Sequence, residues 1–265
     1  MLRNVLAKSL RDQRRKAVWW SLGLALFALM TTSIYPSYSS TASELERFME
    51  RAPAALRAFF GGTDLGTPAG YLHTEVFSFM APLMLILFAV ALGTRMIAGE
   101  ERRGTLDLLL SAPLSRRRLA GEKFLAMILA TLGIATVFWA VLAAGSAIFS
   151  MEIGLGELAQ TMLSCALLAF VFGALAFALG AGTGSTAVAT GATAAVGVGS
   201  YLLDGLAPVV GGLRPYQVLS PFHYFFDAQP LRNGVDPVHA AILVAMTTVL
   251  FGVSLLLIDR RDLGT

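Results

Sequence analysis

"GEERRGTLDLLLSAPLSRRRLAGEKF", residues 99–124, is the most charged stretch of a chain that is otherwise 56% hydrophobic. Seven basic and four acidic side chains fall between Arg95 and Lys123, around the apolar knot "LDLLL". Apolar runs at about 75–97 and 124–149 flank it. Each meets the roughly 20 residues needed to cross about 30 Å of hydrocarbon. A charged insert between two such runs reads as a loop at a membrane surface, and the rest of the chain follows from that.

Outward from the insert, four further runs have the same length and character, at about 17–35, 158–180, 186–208 and 238–258. The run at 186–208 is rich in small residues rather than leucine, and its Asp204 should lie near a span end, because a midplane carboxylate is expensive. With the N-terminus placed in the cytoplasm, the inside segments are 1–16, 95–123, the short turn 181–185 and 259–265. They hold fifteen of the twenty Lys and Arg residues, which follows the positive-inside rule. Dropping the fifth span, or adding one, would put the basic "DRRD" tail outside. The fold class is therefore an all-α polytopic membrane protein with six transmembrane helices and both termini cytoplasmic. Residues 1–265 form a single transmembrane domain.

Composition agrees. Charged residues make up 14%, against roughly 25% in soluble domains, and mean hydropathy is +0.69. Cys165 is the only cysteine, which excludes a disulfide framework and a thiolate zinc site. A net charge of +3 gives no reason to expect nucleic acid as a partner. A cleaved secretory signal does not fit the start: sixteen residues with six basic side chains precede the apolar run, and no A-x-A-like site follows.

Residues 1–16 place Leu2, Val5, Leu6 and Leu10 on one helical face, with Arg3, Lys8, Arg11, Arg14 and Arg15 elsewhere. That pattern predicts an amphipathic interfacial helix on an anionic inner leaflet. The plainer alternative is a basic tail that only fixes topology. Arg14, Arg15, Lys16, Arg116, Arg117, Arg118 and Lys123 are the cations placed beside inner-leaflet lipid. In the outer loop, 36–74, Ser43 and Glu46 suggest a capping box opening a helix bent at Pro53. Its apolar face is read as packing rather than a ligand site. The outer segment 209–237 gathers prolines and aromatics, including Pro221, Phe222 and Tyr224, with Asn233–Gly234 as a turn signal. It reads as an aromatic girdle or a re-entrant-like element buried against protein. No metal is expected at His223, since the sequence has no second His near it and no Cys there.

Sites of chemistry are scarce. "GAGTGST", 180–186, has glycines but lacks the lysine and spacing of a phosphate loop, and it suits a tight turn. The spans carry no confident midplane charge, as an ion-coupled carrier would require. No matched acid, base, nucleophile or metal set points to an intramembrane enzyme. The chain is therefore not expected to be an enzyme, nor to bind a cofactor or metal.

The insert keeps one unexplained feature. Thr105 looks like a helix cap with Asp107 in the first turn, and Pro113 ends the helix after two turns at most. Leu106, Leu109 and Leu110 share a side. So short a helix is marginal alone in water, so its leucines need a surface. That surface is either the membrane or a soluble partner, for which the knot would be a docking knob.

The same stretch resembles the signature of ABC-2-type permeases, the membrane subunits of ATP-driven exporters. The match runs through Glu100 or Glu101, Gly104, Thr105, Leu106, Asp107, Leu109, Leu110, Pro113, Ser115, Arg116 and Lys123. "GEK" at 121–123 departs from the usual "GK" pair by an extra glutamate. The resemblance covers essentially the whole chain, including the N-terminal helix, the large first outer loop and the aromatic segment before the last span. It implies a short cytoplasmic coupling helix within segment 98–123, seated in a cleft of a separate ATPase subunit that binds ATP and Mg. It also implies a second permease chain, identical or related, and residence in the inner membrane of a prokaryote. The alternative function is a non-transport membrane scaffold or assembly protein whose insert recruits another partner. Thr161, Ser164, Cys165 and Tyr201 are polar or polarizable candidates beside a path, with none singled out.

Overall fold

The computed structural model describes residues 5–51, 67–102 and 115–260, with side chains described for all of these except 42–46, 48–51 and 101. Among the described residues, six helices are long and apolar enough to cross a membrane. They are α1 (Val5–Arg51), α2 (Met80–Met96), α3 (Arg116–Ile148), α4 (Leu155–Thr183), α5 (Thr186–Leu206) and α6 (Pro237–Arg260). A short helix, Pro68–Leu72, and a π turn, His73–Phe77, lead into α2, so its apolar helical run begins at Pro68.

The first span departs from the sequence reading. The amphipathic stretch and the first apolar run form one unbroken helix, which continues past Pro36 to Arg51. Residues 5–22 contain no glycine or proline, so no helix breaker stands at the boundary where polarity changes, Lys16–Ala17. Leu6, Leu10, Ala17 and Trp20 pack against the core of the bundle. Helix also runs through Ser43 and Glu46, so the capping box expected there is not a helix start. Pro53 lies outside the described residues.

The middle of the bundle is α4, buried over most of its apolar length. It packs most extensively against α2 and then α6, whereas α1 packs most extensively along α3. Glycines allow both crossings. A Cβ at Gly93 of α2 would collide with the Gly173 carbonyl of α4, and one at Gly145 of α3 would collide with the Thr32 side chain of α1. Such close approach is how helices associate in lipid, where apolar transfer gives little drive between them. Thr161, Ser164 and Cys165 lie in the buried part of α4, with Cys165 wholly enclosed, so they belong to the packed interior. "GAGTGST" folds as the tight turn its composition suggests: Gly184 takes φ +65°, and the Ser185 hydroxyl accepts from the Val188 amide to cap α5.

Candidate functional site

One end of the bundle carries both described termini and both flanks of the charged insert. The insert's centre, 103–114, lies outside the described residues. Gly104, Thr105, Leu106, Asp107, Leu109, Leu110 and Pro113 are therefore not placed, and of Glu101 only the backbone is. What is described is how the flanks are held.

Past Met96 the chain forms one further turn, Ala98–Glu101, closed by the Arg102 amide donating to the Ala98 carbonyl. On the other flank Ser115 sits in extended conformation and its hydroxyl accepts from the Arg118 amide, which caps α3. Serine at such a position satisfies a donor that the first helical turn leaves free. A serine directly before a helical run is the sequence signal for this cap.

The two flanks meet in an ion pair. Lys123 Nζ lies 2.7 Å from Glu100 Oε1, with the lysine side chain 1% exposed. Lys123 is thus buried in the bundle instead of facing lipid phosphates, a correction to its expected place. A lysine so enclosed needs a counter-charge, because burying it alone costs several kcal/mol. Glu122, the neighbouring residue, faces another way. Its Oε2 accepts from the amides of Val5 (2.9 Å) and Leu6 (3.2 Å) in α1, and its Oε1 accepts from Arg118 Nε at 2.9 Å. Further out, Arg117 Nε donates to Asp259 Oδ2 of α6 at 2.7 Å, and Arg102 Nη1 to the Thr186 hydroxyl that begins α5 at 3.2 Å. These outer contacts are solvent-exposed and contribute less than about 1 kcal/mol each. Arg14 and Arg15 are exposed on α1. Arg102, Glu122, Thr186 and Asp259 were all missed from sequence: apart from the Arg118–Glu122 pair within α3, these contacts join segments far apart along the chain.

At the opposite end, Ser220 caps a short helix, Pro221–Phe226, through the Phe222 amide. Phe222 is buried against Phe172, Tyr201 and Phe226. The Tyr224 hydroxyl donates to the Val218 carbonyl at 2.7 Å. The Asn233–Gly234 pair ends a further turn, Pro230–Asn233, with Gly234 at φ +76° and its amide on the Pro230 carbonyl. Asp204 lies two residues before the end of α5, buried, and accepts from Gln217 Nε2 at 2.9 Å. His223 does have a second histidine near it in space, since the His239 ring centroid is 6.1 Å away. Among the described residues, though, no group of three or more His, Cys, Asp or Glu side chains is placed to hold a metal. Asp236 opens α6: its Oδ1 accepts from the His239 and Val238 amides, which in that order hold its carboxyl below the ordinary value.

Between α2 and α5 lies a cavity of about 370 Å³, lined by Phe79, Leu83, Val90, Thr190, Tyr201 and Phe222 among others. Its walls are almost wholly apolar.

The model of the family described as "ABC-2 family transporter protein" matches residues 3–263. The chain belongs to that family. Comparison with curated proteins gave no match. As an ABC-2 family member with six apolar helices of spanning length, it is a multi-pass, all-helical membrane protein of permease type. The extra glutamate that sets "GEK" apart from the usual "GK" pair is Glu122, the residue that holds the described start of α1.

Proposed function

We propose that this chain is the membrane-spanning subunit of an ATP-driven exporter, docked by separate ATPase subunits and paired with a second permease chain. The end that carries the insert faces the cytoplasm, in keeping with the concentration of Lys and Arg there. ATP and Mg act in the partner, and the insert carries its motion to the helices. The observation that supports this reading is the ion pair between Glu100 and Lys123. It joins the two flanks of the insert inside the bundle, so a push on Leu106, Leu109 and Leu110 reaches α2 and α3 instead of dissipating in a slack loop. Apolar contacts of the leucines would supply affinity, and the surrounding charges register and steering. The apolar cavity between α2 and α5 suits an apolar or amphipathic cargo.

Co-purification tests the docking. In detergent extracts of native membranes, the wild-type chain should bring down a protein with an ATP-binding cassette. Leu109→Asp should lose it while the chain still inserts and accumulates at the wild-type level. Equal recovery by both would remove the leucines from the interface.

A further inference from the structure

The helices that enter and leave the insert have different main packing partners, although α3 also touches α2 and α4. α2 leads into it and packs most extensively on α4, with Gly93 seated over the Gly173 carbonyl. α3 leads out of it and is packed most extensively against α1. That pairing is held along its length. Gly145 receives the Thr32 side chain toward one end, and Phe27 meets Phe138 at 6.3 Å between centroids. At the insert end, Glu122 takes the Val5 and Leu6 amides.

Both amides find their acceptor in the same carboxylate oxygen, Glu122 Oε2. A carboxylate suits them, because a charged acceptor makes stronger hydrogen bonds than a neutral one. Glu122 and Lys123 are successive residues about 100° apart around α3. One therefore grips α1 while the other grips Glu100, and the first turns of α3 hold both neighbours. The Arg118 guanidinium on Glu122 Oε1 fixes the carboxylate in place and leaves Oε2 for α1.

We propose that Glu122 is a positioning residue that clasps the N-terminal end of α1 to the start of α3, so that spans 1 and 3 shift as one unit when the insert is displaced. The motion then falls across the boundary between the α1–α3 pair and the α2–α4 pair, and Glu100–Lys123 is the link that carries it across. The clasp stands on contacts alone. The shared motion rests on the docking reading above.

Distances between spin labels test both parts. Cysteines introduced at exposed positions 11 (α1), 125 (α3) and 183 (α4) can be labelled selectively, because Cys165 is fully buried. Without nucleotide, Glu122→Ala should broaden the 11–125 distance distribution at least twofold. Glu122→Gln, which keeps one acceptor oxygen for the α1 amides, should restore most of its sharpness, whereas Glu122→Met, which fills the space without that acceptor, should not. An unchanged distribution in Glu122→Ala overturns the clasp. In the complex with its co-purified ATPase, ATP, Mg and vanadate should change the 11–183 distance and leave 11–125 in place. A change in 11–125 as large as that in 11–183 overturns the shared motion. Failure to recover any ATPase would count against docking instead, and the nucleotide-free spectra would still decide the clasp.

Discussion

Lys123 and Glu100 stand on opposite flanks of the charged insert and form an ion pair of 2.7 Å inside the bundle. Breaking a buried pair strands a charge, whereas removing both partners does not. Lys123→Met or Glu100→Gln alone should therefore lower stability by about 3 kcal/mol. The double substitution should recover most of the loss. Thermal unfolding in detergent, read as a complete double-mutant cycle, measures this. Additive losses would show that the two side chains act independently.

The glycine crossings predict an asymmetry. At Gly145 an added Cβ meets a side chain, that of Thr32, but at Gly93 it meets the backbone oxygen of Gly173. Overpacking of this kind costs roughly 1–3 kcal/mol. Gly145→Ala should be rescued in part by Thr32→Ala, which removes the Oγ1 and Cγ2 atoms it meets but leaves the Thr32 Cβ, 2.9 Å from the added one. Gly93→Ala should resist rescue by any single side-chain change on α4, because the colliding atom is main chain. Melting temperatures of the four variants give the comparison.

Asp236 gives a pH signature. The amides of His239 and Val238 hold its carboxyl below the ordinary value in the folded chain. A carboxylate with a depressed folded pKa stabilises above its unfolded pKa, near 4, and loses that contribution as pH falls through the folded value. Wild type should thus melt higher than Asp236→Ala at neutral pH, with the gap closing below about pH 4. A gap that widens on acidification would contradict the assignment of Asp236 as the cap of α6.

Sidedness is open to chemical labelling. Tyr216 is 58% exposed at the end opposite the insert, whereas Phe225 in the same segment is 1% exposed and would make a silent probe. A cysteine at 216 should react with an impermeant maleimide from outside intact cells. A cysteine at 112, in the insert, should react only after the membrane is opened. The reverse pattern would invert the orientation proposed for the chain.

Sequence patterns made the spans legible because twenty apolar residues in a row have one physical destination. The turn at Gly184–Ser185 was readable for a similar local reason, since a run of small residues permits φ above zero and a serine cap. The fusion of the N-terminal stretch with the first span was not. A change of polarity at Lys16 suggested a boundary, yet only a change in backbone preference makes one. The contacts that organise the insert were invisible for another reason. Glu122 and Val5 are 117 residues apart, and Arg117 and Asp259 are 142 apart. No period or motif links such positions. Lys123 was misplaced in the same way: among basic neighbours it reads as a surface cation, and only the packing of α2 against α4 and α3 brings Glu100 to it. Glu122 did leave a trace, as the glutamate that interrupts "GK".

The most direct test of the central claim is a photo-cross-linker in place of Leu109 in the full-length chain, activated in native membranes and followed by mass spectrometry of the adduct. The account predicts a covalent adduct with a protein that carries an ATP-binding cassette. Adducts only with lipid, or with a protein lacking any nucleotide-binding site, would contradict it and favour a membrane-surface loop or a scaffold.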